Sequence, residues 1–145
     1  MGVTAAMSSN SRYTVAVHIL LMLEEPDGAW VTSEGIAESV NTHPVVIRRL
    51  LTRLQAVGLV SGQKGAHGGY RLARASRGVT MWDVYEAMRE DGPFGLHARA
   101  PNPKCRIGGK IQKHLRGIYD ATEASMMRVL DKTTLGGLRK QIIGS

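Results

Sequence analysis

The fold is decided by residues 33–73, which read SEGIAESVNTHPVVIRRLLTRLQAVGLVSGQKGAHGGYRLA. The first eight of these residues carry apolar side chains at helical spacing, and Ser33 is a residue type that caps helices. The polar break Asn41-Thr42-His43 follows, and Pro44 then stands where the first turn of a helix tolerates proline. This pattern predicts two helices joined by about three residues.

The second of these helices is expected to run from Pro44 to about Val57. Its apolar residues recur at i, i+3, i+4 and i+7, which is the spacing of one buried helix face. Arginines lie off that face, near the start and along the outer side of the helix. Two helices with a short break, the second carrying arginines, are typical of a helix-turn-helix that enters the major groove of DNA. The apolar positions are Ile47, Leu50, Leu51 and Leu54, and the arginines are Arg48, Arg49 and Arg53.

A two-stranded wing is expected directly after this helix. Gly58 ends the helix, Leu59 and Val60 begin a strand, and the glycine-rich residues 65–69 turn into Tyr70-Arg71-Leu72. The predicted fold class is therefore mainly α with a small β-wing, a winged helix-turn-helix domain.

Charge distinguishes a nucleic-acid surface from an ordinary three-helix core with a permissive turn. No acidic residue lies between Glu38 and Asp83, whereas seven basic residues do. A solvated face normally mixes both signs, so a long one-signed stretch favours a surface that faces phosphates.

The whole chain has 145 residues, a formal net charge of +7 and 43% hydrophobic residues. These values suit one domain with an appendage and a partner that is DNA, RNA or an anionic surface. No apolar run approaches the roughly 18 residues of a membrane span. A single cysteine excludes an internal disulfide framework and fits a cytoplasmic location.

The flanking segments supply further candidates. Residues 1–10 are small and polar and are expected to be disordered, and a helix is expected from Ser11 to Leu23. Arg12 and Tyr13 in its first turn could contact a backbone phosphate or could be ordinary exposed residues. The wing tip, with Lys64 and His67, is expected to follow the neighbouring minor groove. The candidate DNA-binding residues are Arg12, Tyr13, Thr42, Val45, Arg48, Arg49, Arg53, Lys64 and His67.

The C-terminal part is predicted to contain a long helix. Thr80 and Asp83 form a capping-box pattern before the last helix of the winged domain. A loop over 92–106 follows, then a helix from about Ile107 to Lys132, and a short helix around Leu135. Apolar residues of the long helix recur at near-heptad spacing, which favours a dimer interface over a helix folded back on its own domain. The proposed interface residues are Ile111, Leu115, Ile118, Met126 and Val129. The expected organisation is 1–10 disordered, 11–91 winged helix-turn-helix domain, 92–106 loop, and 107–145 dimerisation helix with C-terminal segment.

Three segments carry a resemblance to a known family. SRYTVAVHILLML at residues 11–23, the run from Ile36 to Ala73, and VTMWDVYEAM at residues 79–88 resemble the Rrf2 family of bacterial transcription regulators. The likeness extends from about Ser11 to Leu138, and its most specific piece is GLV followed by the wing segment GGYRLA. It implies a homodimeric DNA-binding regulator, usually a repressor, whose long helix crosses between subunits. Members include an iron–sulfur cluster regulator and a nitric-oxide-sensing repressor.

The chain departs from the cluster-binding members of that family. Those members carry three cysteines in the loop before the long helix, and only Cys105 is present here, because Pro93 and Arg99 stand near the other two places. No cofactor is therefore expected, and PNPKCRIGGKI resembles the single-cysteine subgroup. Cys105 is either a regulatory thiol, activated by its neighbours Lys104 and Arg106, or a structural residue.

Other classes of function stay open. An enzyme would need Cys105 as nucleophile with His97 or His114 as base, and nothing in the sequence links these groups. A basic protein-interaction or membrane-surface module is a second alternative. RNA binding is a third, which the low aromatic content of 5% disfavours.

Overall fold

The computed structural model describes residues 9–24, 27–90 and 92–144. Within them lie six α-helices, a two-stranded antiparallel sheet and one 3₁₀ turn. No helix in the described residues is long and apolar enough to cross a membrane. The helices are α1 (Ser9–Met22), α2 (Ser33–Val40), α3 (Pro44–Ala56), α4 (Met81–Met88), α5 (Ile111–Leu130) and α6 (Leu135–Ile143), and the strands are β1 (Val60–Gln63) and β2 (Gly69–Leu72).

The hydrophobic core is built by α1 to α4 together with the base of the wing. The apolar stripe predicted for α3 is fully inward, since all four of its residues are buried. α6 closes one side of the core through Leu135. The largest fully buried side chains are Ile19, Leu20, Ile36, Ile47, Leu51, Leu54, Val79, Val84 and Leu135.

The helix-turn-helix has the predicted turn, with one change in its capping. Thr32, not Ser33, is the N-cap of α2, and its hydroxyl accepts a hydrogen bond from the Gly35 N–H at 3.1 Å. Ser33 is instead the first helical residue and is buried. Asn41 adopts a left-handed conformation with φ 65°, which ends α2 and turns the chain toward α3. Pro44 occupies the first turn of α3, as its fixed φ allows.

The wing pairs β1 with β2 in the register Val60 to Leu72. Its base is fixed to the chain before α2, since Val31 and Tyr70 exchange two backbone hydrogen bonds of 2.8 Å. Gly69 is required here, because its φ is +144° and a Cβ atom would lie 2.6 Å from the Val31 carbonyl oxygen. Val31 is thus joined to β2 by an isolated bridge.

The capping box predicted for α4 is present. The Thr80 hydroxyl accepts from the Asp83 N–H at 3.1 Å, and the Asp83 carboxylate accepts from the Thr80 N–H at 2.9 Å. Thr80 also forms an isolated antiparallel bridge with Thr134, the residue that caps α6, so the starts of α4 and α6 lie side by side.

The long helix begins four residues later than predicted. Residues 103–110 form a series of turns, and α5 runs from Ile111 to Leu130 rather than from Ile107 to Lys132. Glycines explain the delay, because a Cβ atom on Gly108 or Gly109 would lie within 2.8 Å of a carbonyl oxygen of Asn102 or Pro103. A tight turn therefore occupies the place expected for the first helical turn.

The N-terminal helix begins earlier than predicted, at Ser9 rather than Ser11. The expectation of disorder fails for residues 9 and 10, and for residues 1–8 it lies outside the described residues. Pro26, and Asp91 at the expected end of the winged domain, also lie outside the described residues.

Candidate nucleic-acid interface

The outer face of α3 is exposed and carries the candidate base-reading residues. Val45, Arg48, Arg49 and Thr52 follow one another at helical spacing and are all exposed, whereas the opposite face is buried. His43 caps this helix, because its Nδ1 atom accepts a hydrogen bond from the Val45 N–H at 3.2 Å. The first turn of α3 is therefore fixed in place by the core below and the cap before it.

The two arginines of this face differ in their contacts. Arg48 donates from Nη1 to the Ser33 hydroxyl at 3.2 Å and to the Glu34 carboxylate at 3.3 Å, both on α2. The Arg49 side chain has no hydrogen bond or ion pair among the described residues. Arg49 is thus the cation near the start of α3 that is available to a ligand, and Arg48 is shared with α2.

The wing tip presents a second basic surface beside this face. Lys64 and His67 are exposed on either side of Gly65, whose φ is +106°. The base of the wing is stiffened by the Arg71 guanidinium, which lies 4.1 Å from the centre of the Trp30 ring. Further exposed basic residues that the candidate set did not include are Arg71, Arg74 and Arg77.

Three of the candidate residues make contacts inside the protein instead. Arg53 donates from Nε to the Ala87 carbonyl at 3.0 Å and from Nη2 to the Arg89 carbonyl at 3.1 Å, at the C-terminal end of α4. Tyr13 donates to the Met81 carbonyl at 2.8 Å, and burial raises the pKa of Tyr13 to about 12. These contacts favour a structural role for Arg53 and Tyr13.

Arg12 joins the same group of contacts. Its Nη1 atom lies 2.9 Å from a Glu90 carboxylate oxygen, which Arg53 also approaches at 3.5 Å. The hydrogen bond from Arg12 is the main reason that the pKa of the Glu90 carboxyl lies below its usual value. Glu90 thus links α1, α3 and the end of α4, and its partners lie far apart in sequence.

The residues predicted to form a dimer interface lie on α5, where Ile118 and Val129 are exposed and the other three are partly buried. Within the described chain, no residue of α5 is buried, and Ile118 and Val129 are 60% and 67% exposed. A monomeric soluble protein seldom exposes a run of large apolar side chains on one helix. The predicted interface residues therefore lie on a surface that this chain alone does not cover.

A polar contact attaches α5 to the winged domain. The Glu123 carboxylate accepts from the Tyr85 hydroxyl at 3.1 Å and pairs with Arg89 at 2.9 Å. Burial, and then the hydrogen bond to Glu123, raise the pKa of Tyr85 to about 12. Phe94 of the preceding loop packs on Tyr119 with ring centres 5.0 Å apart.

Cys105 is exposed in the turn before α5. Hydrogen bonds with the backbone of Gly108 and Ile107 hold the pKa of its thiol below the usual value. The physical cause thus differs from the expected one, which was the charge of the flanking Lys104 and Arg106. These cations line a shallow depression of about 530 Å³ around the thiol. His97, one of the two histidines considered as a base for the thiol, contacts Gln112 instead, with its Nδ1 atom 3.4 Å from Gln112 Nε2. No hydrogen bond joins His97 to Cys105 among the described residues.

A second exposed apolar surface lies between α1 and α6. It is a groove of about 550 Å³ whose walls include Leu21 and Met22 on α1 and Leu138 and Ile142 on α6.

The family model described as "Iron-dependent Transcriptional regulator", Rrf2, matches residues 9–141. The donor set of this chain does not fit the iron–sulfur cluster of such regulators, because Cys105 is the single cysteine of the sequence. In the described residues, no group of three or more His, Cys, Asp or Glu side chains is placed to hold a metal ion.

Comparisons with individual proteins agree with the family match. YwnA of Bacillus subtilis, named as a candidate HTH-type transcriptional regulator, is 34% identical over 127 residues, which cover 87% of this chain and 92% of YwnA. The structure of a transcriptional regulator from Lactobacillus plantarum aligns with a TM-score of 0.73 at 24% identity, covering 90% of this chain and 89% of that one. CymR, the global cysteine regulator of B. subtilis, aligns with a TM-score of 0.64 at 23% identity, covering 95% and 98%. The chain belongs to the Rrf2 family of winged-helix transcriptional regulators, which bind DNA and are not enzymes.

Proposed function

We propose that this regulator acts in the cytoplasm as a homodimeric repressor that binds a two-half-site operator in double-stranded DNA. The observation that supports this most is the exposed, basic outer face of α3, which stands on a fully buried inner face. A helix held in this way can enter a major groove without rearranging the domain.

The proposed base reader is Arg49, with Val45 beside it for a thymine methyl group and Thr42 for a phosphate. An arginine can bind the two acceptors of a guanine at once, which is worth about 1–3 kcal/mol of discrimination. Lys64 and His67 on the wing are proposed to contact the neighbouring minor groove or its phosphates. Arg48 belongs to the same surface and also contacts Ser33 and Glu34 on α2. For Arg12, Tyr13 and Arg53 a structural role is proposed in place of DNA contact, since their polar groups bond to other parts of the domain.

Dimer formation is proposed to occur through α5. Its interface would consist of Ile111, Leu115, Ile118, Met126 and Val129 from each subunit, which a second copy would remove from water. Two recognition helices in one dimer bind half-sites about one helical turn apart, roughly 10 base pairs.

Selection of DNA from a random pool tests this function. We expect the wild-type protein to enrich an inverted repeat and to bind it much more tightly than random duplex in mobility shifts at moderate salt. A protein that enriches no sequence, and forms no sequence-preferring complex at any salt, is instead a basic protein-interaction module.

We further propose that Cys105 is a regulatory thiol. It is exposed, its pKa is lowered by the backbone of the turn, and it lies just before the proposed dimer helix. Oxidation or alkylation there would change the turn that precedes α5 and so the spacing of the two recognition helices. The alternative is a structural cysteine in a regulator with another effector or none.

The thiol is tested by its reaction with iodoacetamide as a function of pH. Because the pKa is lowered, the thiolate should persist, and alkylation should stay fast, at a pH below that of a free cysteine. Peroxide, diamide and a quinone should then release operator DNA from the wild type but not from Cys105→Ser. A thiol with the pH profile of free cysteine, or release that is equal in both proteins, assigns Cys105 to the structural alternative.

A further inference from the structure

We propose that Glu34 is a specificity-determining positioning residue, which acts on DNA through Arg48. Its carboxylate holds the Arg48 guanidinium on α2, so that Arg48 turns to DNA only where a base edge replaces this contact. The inference rests on the proposed use of α3 as the reading helix and adds a residue of α2 to it.

The geometry joins three side chains at the start of α2. Arg48 Nη1 donates both to the Ser33 hydroxyl, at 3.2 Å, and to Glu34 Oε2, at 3.3 Å. The Ser33 hydroxyl donates in turn to Glu34 Oε1 at 3.3 Å. Ser33 is only 6% exposed, so one acceptor of Arg48 is fixed by the core. The hydrogen-bonded position of Arg48 is thus defined by groups on the neighbouring helix.

Exposure allows this contact to be exchanged. The side chains of Arg48 and Glu34 are 46% and 69% exposed, so water screens their attraction and the pair contributes little to stability. The contact is therefore weak enough to be broken by a better partner. Arg49, the next residue, has no such contact within the described part of the chain, and it is free to bind whatever DNA is present.

The exchange of Glu34 for DNA as the partner of Arg48 favours the operator over random DNA. Removing Arg48 from Glu34 carries the same cost for every DNA sequence, because that contact lies inside the protein. A phosphate offers Arg48 charge alone, whereas a guanine in register offers two acceptors in the geometry of a guanidinium. On random DNA, Arg48 stays with Glu34, and one fewer phosphate is neutralised. Glu34 thus lowers non-specific binding more than operator binding, which is specificity gained by a competing contact.

Loss of a negative charge is the effect that must be separated from this one. Glu38 lies on the same helix four residues later and is also exposed, and no hydrogen bond or ion pair joins its carboxylate to another described residue. Glu38→Gln therefore removes the same charge from α2 without releasing an arginine. Glu34→Asp is the complementary variant, because it keeps the charge and shortens the side chain by one methylene.

The experiment measures binding to the selected operator and to random duplex between 50 and 200 mM salt. Glu34→Gln should raise affinity for random DNA and increase its salt slope by about one, so that affinity falls about fourfold more over this salt range than it does for the wild type. Its operator affinity should change less, so the ratio of the two affinities falls. Glu34→Asp should lower that ratio too, while Glu38→Gln should shift both affinities alike.

A double-mutant cycle completes the test. In an Arg48→Gln protein, Glu34→Gln should no longer change the ratio of affinities. If Glu34→Gln behaves as Glu38→Gln does, or if its effect on the ratio persists without Arg48, the proposal is wrong. Wild-type protein that prefers no sequence contradicts the DNA-reading assignment itself, which is a separate outcome. Melting curves by circular dichroism verify that each variant folds, as expected because the Thr32 cap of α2 is unchanged.

Discussion

The helices α3 and α5 are both amphipathic, yet their apolar faces have different surroundings. In α3, four apolar side chains are buried in the core, and Leu50, the most exposed of them, is 5% exposed. In α5, which has 20 residues, none is buried in the described chain. The shorter helix is therefore held by its own domain, whereas the longer one keeps an apolar surface uncovered.

The difference teaches that an apolar stripe specifies burial but not the chain that provides it. The α3 stripe is surrounded by α1, α2 and α4, which pack against it within the same domain. The α5 stripe follows a loop and a tight turn that carry it away from the core, with Glu123 as its polar attachment. We expect a second copy to complete the environment of α5, and the following changes test this contrast.

Leu115→Glu should have the largest effect. A carboxylate in the proposed apolar interface would have to be buried without a partner, so we expect monomers in sedimentation experiments. Loss of the second half-site should weaken operator binding by more than about a hundredfold. Ala124→Glu places the same charge on an exposed position outside the apolar stripe and should leave the dimer intact. A Leu115→Glu protein that remains a folded dimer would place the partner surface elsewhere.

Arg49→Ala tests the reading face of α3. We expect a loss of about 1–3 kcal/mol of discrimination at one base pair of each half-site, with an unchanged melting temperature. Competition binding with singly substituted operators measures it. Arg128→Ala, an arginine of α5, serves as the control and should leave base preference unchanged. A uniform loss across all operator positions would show that Arg49 binds a phosphate rather than a base.

Arg53→Ala should affect stability rather than DNA reading. Its guanidinium donates to two carbonyls at the end of α4. Because the side chain is 33% exposed, water competes for these hydrogen bonds and lowers their contribution to the free energy of unfolding. We expect a loss of about 1–2 kcal/mol in the free energy of unfolding, measured by urea denaturation. Arg74→Ala removes one hydrogen bond, from an exposed guanidinium to the Gly78 carbonyl, and should lower the free energy of unfolding by less. A lowered salt slope with normal stability would return Arg53 to the DNA-contacting set.

Lys64→Ala should have the smallest effect. One wing cation lost at an exposed tip should lower affinity about equally for all sequences and reduce the salt slope by about one. Titrations of operator and random duplex at several salt concentrations measure both quantities. Gln63→Ala, on the neighbouring exposed position, should leave the slope unchanged. A loss limited to one base-pair position would make Lys64 a base reader.

Local patterns were sufficient to predict much of the winged domain. The helical period predicted the buried stripe of α3, and Pro44 predicted where that helix begins. The Thr80 and Asp83 pair predicted where α4 begins, to within one residue. These features depend on residues that are near neighbours in sequence. The start of α5 was missed because Gly108 and Gly109 pack against carbonyls of residues 102 and 103, a close approach that periodicity does not reveal.

The candidate site was predictable in outline but not in its partners. Helical spacing identified Arg48, Arg49 and Arg53 as lying off the buried stripe, and basic charge favoured DNA for all three. Only tertiary contacts distinguish them, since Arg53 reaches Ala87 and Arg48 reaches Glu34, which are 34 and 14 residues away. No local signal marks such pairs, and Glu34 was therefore absent from the expected site.

The bridge between the start of α4 and the start of α6 has a consequence for how this architecture can diversify. Met81 donates to the Thr133 carbonyl, and Leu135 donates to the Val79 carbonyl, each at 2.8 Å. The chain from the end of α4 to residue 132 is therefore an excursion that leaves the domain and returns to it at a fixed point. Such an insertion can change its length, its exposed apolar surface or the turn at Cys105 while the winged domain keeps its own core. The DNA-reading proposal and the proposals for α5 and Cys105 thus concern parts of the chain that can be altered independently of one another.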